Sequence, residues 1–522
     1  MPVLANAFMA RFLTKAMRTS PGTAGRPEQG SANLRSRLSV PARGGRAILA
    51  AWRAIVLAAL TLGNAACSSA PNLNPFAASA PPEGQEGHVQ GFLGGVVADE
   101  PRAALLGREA LSLGGNAADA AVAIGFALAV TLPSRASLGA GGACLAYSPG
   151  RKSANGGVPE AIMFLPRPSA GTGTNADRPA AVPMLARGLY LLHARYGHLP
   201  FASLVVPAER FARFGVPVSK ALARDLAVVA GPLLADPGAR AVFSRNGVPL
   251  REGDPLVQLD LAATLSRLRV TGVGDLYQGN LARQLAQQSP LVGGPLSLGA
   301  LRGALPTLAP ALIEPWHSDK VAFLPLPADG GLAAAAAFET LRQHPADVSQ
   351  AAARGLAVAA QWRAAGGTAD ALLKDTALPP AGPPPLPAST TWATLDRNGN
   401  AVVCSASLDN LFGTGRIVPG LGFLLAASPT SVPPPFYAAA LAWNDHLRAF
   451  RAEVGGSGQA GAPVAVAVGM HNTLTTGRAM AAAVPDPGRA NVIGCASYLP
   501  GAAGSCQWAT DPRGAGLAVG GN

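Results

Sequence analysis

Three consecutive hydroxyl residues, Ser389, Thr390 and Thr391, follow directly on a proline-rich run from Pro379 to Ala388. An aliphatic hydroxyl is a weak nucleophile and needs a base beside it. One arrangement supplies that base without a second side chain. If the peptide bond before the hydroxyl residue breaks, the freed α-amino group sits on the nucleophile itself, with a reference pKa of about 7.7 to 8.0. A hydroxyl at the head of a strand, behind a linker that can be cut, suits self-processing followed by amide hydrolysis. The plainer alternative is that these hydroxyls only fill a half-buried strand surface.

The element that must position them is a hairpin. Asn398-Gly399 is a strong turn signal, because both residues tolerate positive φ. Its flanks, Thr390 to Leu395 and Ala401 to Leu408, are rich in β-branched and apolar residues and predict two antiparallel strands. Ser405 and Ser407 are two apart and so share one face of the second strand, looking across at the hydroxyls that begin the first. A two-residue turn sets Thr390 opposite Ser407. A three-residue loop, Arg397 to Gly399, sets Ser389 opposite Ser407. Both Ser389 and Thr390 are therefore candidate nucleophiles.

The remaining composition narrows the class. The chain has 522 residues, 49% of them hydrophobic, enough for one large or two ordinary domains with a sizeable core. The net charge of +12 is unevenly placed, since residues 1–53 hold nine basic side chains and one acid. No basic patch with stacking aromatics follows, which argues against nucleic-acid partners. The basic leader runs into an apolar stretch, Ala54 to Gly63, and then small residues before Cys67, the pattern of an export signal. The Cys67 context resembles a bacterial lipoprotein cleavage site and makes it a candidate for lipid attachment to a membrane. Export of this kind predicts a periplasmic or outer-membrane-anchored protein. Residues 1–66 then form the leader and 67–88 a proline-rich flexible tether.

Of five cysteines, Cys144 and Cys404 fall in apolar segments and are expected to be buried thiols. Cys495 and Cys506 flank Pro500-Gly501 and are the expected disulfide. The seven histidines show no HxxxH pairing and there is no CxxC, so neither metal nor cofactor is called for. Gly94 to Ala98 reads as a buried strand, Pro101 to Leu113 as a helix, and Ala117 to Leu132 as a second helix capped by Asn116. Pro463 to Val468 reads as a strand followed by a glycine-bounded turn, where His471 and Asn472 could donate hydrogen bonds to a substrate.

The segments Asp396 to Val402, Leu408 to Gly415 and Pro419 to Leu425 resemble the start of the small subunit of γ-glutamyltransferases, also called glutathione hydrolases. Leu113 to Val130 and Leu138 to Gly142 resemble the opening of the same family's large subunit. Shorter matches follow in order, including Ala194 to Pro200, Gly272 to Gly279, Pro327 to Gly331 and Thr510 to Gly514. The resemblance implies an α+β fold, a four-layer αββα sandwich of the N-terminal-nucleophile hydrolase type, with a large-subunit-like region at 89–388 and a small-subunit-like region at 389–522. It implies a small-molecule amide or γ-glutamyl substrate, self-cleavage before Ser389 or Thr390, and transfer of the acyl group to water or an amine. Counting back from Asp396, Ser389 matches the family's nucleophilic Thr, Ser407 a Thr that supports it, and Asp409 a substrate-contacting Asn. The sequence also departs from the family. Leu165 stands where an Arg holds the substrate carboxylate, and Arg167, two residues on, is the candidate to bind substrate in its place. Ala426 to Ser431 contains no acid where the family places one for the substrate amino group, and the Ser-Ser pair and the Gly-Gly of the oxyanion hole are missing. The alternatives on the same fold are a non-catalytic, uncleaved binding protein and an acylase for another amide.

Overall fold

A computed structural model describes residues 91–150, 156–169, 176–481 and 484–521. The leader, the tether and Cys67 lie outside the described residues. In chain order, the strands that build the sandwich are β1 (Gly94–Ala98), β2 (Gly141–Tyr147), β3 (Glu160–Phe164), β4 (Thr307–Pro310), β5 (Leu312–Trp316), β6 (Asp319–Phe323), β7 (Thr390–Asp396), β8 (Ala401–Ser407), β9 (Ala438–Asn444), β10 (Ala449–Ser457), β11 (Arg489–Leu499), β12 (Cys506–Thr510) and β13 (Leu517–Gly520). The helices that cover them are α1 (Pro101–Ser112), α2 (Ala117–Thr131), α3 (Leu185–Tyr196), α4 (Asp329–Gln343), α5 (Val348–Ala365) and α6 (Ala462–Thr476).

The strands form a seven-stranded sheet, ordered β4-β3-β2-β8-β7-β1-β13, and a six-stranded sheet, ordered β5-β6-β9-β10-β11-β12. Every neighbouring pair within the two sheets is antiparallel. Each sheet is apolar on both faces, so each is covered twice. Val97, Leu145, Met163 and Val403 of the first sheet meet Leu441, Trp443 and Ile493 of the second in the central layer. The outer face of the first sheet packs on α1 to α3, and that of the second on α4 to α6. This is the four-layer αββα sandwich.

Alternation along β7 sorts its side chains. Trp392 and Thr394 turn outward to α2, where the indole Nε1 donates to the Ala121 carbonyl at 3.0 Å and the Thr394 hydroxyl to that of Ala117 at 2.8 Å. Ala393 and Leu395 turn inward to the second sheet. Helix α2 is buried along its whole length, and Asn116 and Asp119 close a reciprocal capping box at its start. A Cβ at Gly125 would lie 2.6 Å from Leu189, so the bare glycine lets α3 sit close against α2. Among the described residues no helix is long and apolar enough to cross a membrane.

Three expectations change. Pro463 to Val468 is the start of α6, not a strand, with Pro463 in its first turn. A short Ala/Val run has no polar face to reveal its period, and burial between α4 and the second sheet suits either structure. Cys144 and Cys404 are joined by a disulfide instead of being free thiols. They are direct partners on adjacent strands β2 and β8, an adjacency across 260 residues of sequence that local apolarity does not reveal. A Gly-Gly pair is also present: Gly455 and Gly456 close β10, where a Cβ on Gly455 would lie 2.8 Å from that of Thr391. Cys495 and Cys506 are bonded to each other across β11 and β12.

Candidate active site

The hairpin takes the three-residue loop. The Asp396 N–H donates to the Asn400 carbonyl at 3.0 Å, and Gly399 adopts a left-handed φ of 81°. Thr390 therefore pairs with Ala406 and Thr391 with Ser405, which carries Ser389 opposite Ser407 at the open end. By the same alternation Ser389, Thr391, Ser405 and Ser407 share the face toward the second sheet, and Thr390 takes the other face.

Around that open end the hydrogen bonds divide the two candidate nucleophiles. The Thr390 hydroxyl donates to Asp99 Oδ2 at 3.1 Å, and the same oxygen accepts the Thr391 N–H at 3.0 Å. Asn491 completes this cluster from β11, donating to Asp99 Oδ1 at 2.8 Å and to the Thr391 hydroxyl at 3.0 Å. Ser389, by contrast, is buried and its Oγ has no partner among the described residues. Ser405 Oγ on the same face is likewise without a partner among the described residues, so what sets Ser389 apart is its place directly after the Ala388 carbonyl that Ser407 holds.

The bond before Ser389 is held on both sides. Ser407 Oγ donates to the Ala388 carbonyl at 2.8 Å and itself accepts the Asp409 N–H at 3.0 Å. Arg135 donates from Nη1 to the Ser389 carbonyl at 3.5 Å. Its guanidinium is fixed by a bidentate pair with Asp225, at 2.8 and 2.7 Å, and Ser134 donates to the same carboxylate at 2.6 Å. Burial works against the Arg135 cation, but the Asp225 charge and hydrogen bond outweigh it and hold its pKa above the ordinary value.

Asp409 follows Ser407 with a left-handed φ of 55°. Its Oδ1 accepts the Tyr437 hydroxyl at 3.1 Å, and Oδ2 has no partner among the described residues. Burial pushes this carboxyl up to about 7, against the Tyr437 hydrogen bond, which lowers it. Asp409 and Arg167 line one cavity of about 550 Å³, so the structure brings these two candidates together. A second, more polar cleft of about 670 Å³ is lined by Pro385 to Ala388, Asp99, Arg135 and Asn491.

His471 and Asn472 are not part of this site. They stand near the end of α6, on the far side of the second sheet from the hydroxyls, with the His471 ring packed edge-on against Trp316 at 5.4 Å. Asp99, Arg135, Asp225, Tyr437 and Asn491, by contrast, surround the junction without having been singled out in the sequence. No local motif marks them, because they are brought in by a strand, a helix and separate loops.

Residues 103–381, more than half of the chain, match the family model for gamma-glutamyltranspeptidase. The glutathione hydrolase proenzyme of Escherichia coli is 28% identical over 420 residues, covering 72% of this chain and 72% of that protein. That of Bacillus subtilis is 31% identical over 281 residues, covering 49% of this chain and 47% of that protein. Among solved structures, cephalosporin acylase from Bacillus halodurans shares the fold, with a TM-score of 0.67 at 20% identity over 86% of this chain and 99% of that chain. The layered sheets, the hydroxyl-bearing hairpin at the centre of one of them and a family match running through the helices that pack on it lead to one assignment: the chain belongs to the γ-glutamyltranspeptidase family.

Proposed function

We propose that this protein is a self-processing amidohydrolase that cuts its own chain before Ser389. It then uses the Ser389 hydroxyl to take an acyl group, γ-glutamyl-type in the family, from a small amide and pass it to water or an amine. The observation that carries this reading is a buried, unpartnered Ser389 Oγ next to a carbonyl already held by Ser407. In the intact chain Ser389 Oγ attacks the Ala388 carbonyl carbon. As that C–N bond breaks, the nitrogen takes up a proton and an ester forms. Water then cleaves the ester, leaving a carboxylate on Ala388 and a free α-amino group on Ser389. That amine is the base for the same residue's hydroxyl in every later turnover.

Thr390 suits this role less well, because its hydroxyl already donates to Asp99 and its face is that of the helices. Both relatives described above are named proenzymes, which agrees with a chain that matures by cleavage. We also place the protein outside the cytoplasm, exported by the leader and anchored through Cys67. Its two disulfides are consistent with an oxidising compartment.

Mass spectrometry and electrophoresis of the purified chain test the proposal. Two fragments are expected under reducing conditions, the smaller beginning at Ser389. Ser389→Ala should stay whole, and Thr390→Ala should still cut. A chain that remains intact on long incubation, or a fragment beginning at Thr390, overturns the assignment. Release of p-nitroaniline from γ-glutamyl-p-nitroanilide then tests the acyl class.

A further inference from the structure

The cavity of about 550 Å³ beside Asp409 has walls that do not match an amino-acid ligand. Leu165, Trp362, Tyr437 and the run Pro433 to Pro435 are among the residues that line it. Of its four charged residues, Arg363 and Asp329 are engaged with each other. Arg363 pairs with Asp329, donates to the Pro434 carbonyl at 3.0 Å and lies 4.8 Å above the Phe436 ring. Asp329 is therefore not available to an incoming ammonium. Arg167 is exposed, and of the two carboxyls in the lining Asp329 is committed to Arg363 while burial holds Asp409 up at about 7.

An α-amino-acid end brings an ammonium and a carboxylate side by side. Both would lose their water against proline and tryptophan, a cost that burial imposes on unpaired charges. An uncharged chain meets no such penalty and gains from leaving water. Asp409 fits the same picture. Its carboxyl, pushed up to about 7, is partly protonated at neutral pH, and Oδ2 is then free to donate to an amide oxygen.

We infer that this cavity is the acyl-binding site of the hydrolase proposed above, on which reading the inference rests, and that it takes an uncharged apolar acyl group of the arylacetyl kind in preference to γ-glutamyl. Asp409, which lines the cavity, connects it to the junction: its N–H donates to the same Ser407 Oγ that holds the Ala388 carbonyl. After self-cleavage, Ser389 Oγ attacks the amide carbon of the bound substrate. The amine leaves with a proton delivered through the Ser389 α-amino group, and water hydrolyses the acyl-serine ester to the carboxylic acid.

The test has two arms. In the first, phenylacetamide and L-glutamine are titrated calorimetrically into the uncut Ser389→Ala chain, which isolates the cavity from catalysis. Phenylacetamide should bind at least about tenfold more tightly, and Leu165→Arg should narrow that ratio by about the same factor. In the second, the processed wild-type enzyme should show at least about tenfold higher kcat/KM for phenylacetyl-p-nitroanilide than for γ-L-glutamyl-p-nitroanilide. Equal or tighter glutamine binding, or equal or faster turnover of the γ-glutamyl substrate, overturns the inference and leaves the proposed hydrolase standing. A chain that never cuts itself removes the hydrolase, and the binding arm then still decides what the cavity prefers.

Discussion

Ser407→Ala removes one oxygen that does two things. That oxygen donates to the Ala388 carbonyl at 2.8 Å and accepts the Asp409 N–H at 3.0 Å. As Ser389 Oγ adds to the Ala388 carbonyl carbon, negative charge grows on the oxygen Ser407 already touches. Losing one donor of this kind costs about 10²- to 10³-fold in rate, or about 2.7 to 4 kcal/mol of transition-state stabilisation. A single neutral hydroxyl belongs at the lower end of that range, so self-cleavage is expected to slow about 100-fold. The second loss falls on stability, since an unpaired buried N–H at Asp409 costs about 1 to 3 kcal/mol. The assay is a time course of intact chain against fragments on reducing gels after rapid purification, with thermal unfolding measured in parallel. Ser407→Thr restores the donor and should bring the rate back to within about tenfold of wild type. A Ser407→Ala chain that cuts at the wild-type rate, yet unfolds at a lower temperature, would refute the reasoning and reduce Ser407 to a brace for the 408–410 turn.

Three further outcomes are expected. Cys144 lies before the proposed cut and Cys404 after it, so their disulfide should hold the fragments together on non-reducing gels; Cys404→Ser should release them without reductant. In the uncut Ser389→Ala background the same change should lower stability by an amount of order 5 kcal/mol on the chain-entropy estimate, read by chemical denaturation. Glu453 is buried in β10 with neither oxygen partnered among the described residues, and desolvation, then the Asp396 charge, raises its pKa well above 4.5. A raised carboxyl favours the fold below its unfolded pKa and loses that contribution as pH rises toward the folded value, so Glu453→Gln should flatten the fall in melting temperature as pH rises above 4.5. A slope unchanged by the substitution would show that other groups set it. Finally, if neutral Asp409 donates to the ligand, phenylacetamide binding to Ser389→Ala should weaken as pH rises through about 7, and Asp409→Asn should bind independently of pH over that window. A pH dependence that persists in Asp409→Asn would assign it elsewhere.

Much of the scaffold was legible because its signals are local. Gly94 to Ala98 is apolar throughout and lies in a sheet covered on both faces. Asn116, with Asp119 three residues on, announces the start of α2 through a capping box. The open question at Asn398-Gly399 was one of register, and the structure resolves it: Gly399 takes the left-handed position of a three-residue loop. Misreadings came where local chemistry is ambiguous. The Ala/Val run after Pro463 is apolar on every side, which erases the helical period, and its burial comes from α4 and the second sheet. Gly455-Gly456 was overlooked because its meaning lies in the space it leaves for Thr391, a contact across the two sheets.

The amino-acid order alone determined the hydroxyl hairpin, the alternation that puts Ser405 and Ser407 on one face, and the family-like run of helices and strands. Each of these depends on φ preferences and side-chain period within a few residues. Tertiary structure alone decided that Thr390 turns to Asp99 while Ser389 stays unpartnered, that Cys144 meets Cys404, and that Leu165, Trp362 and three prolines close a cavity around Asp409. Those outcomes depend on which strands become neighbours. Sheet order is set by burying all four layers at once, and no short stretch of sequence carries that information.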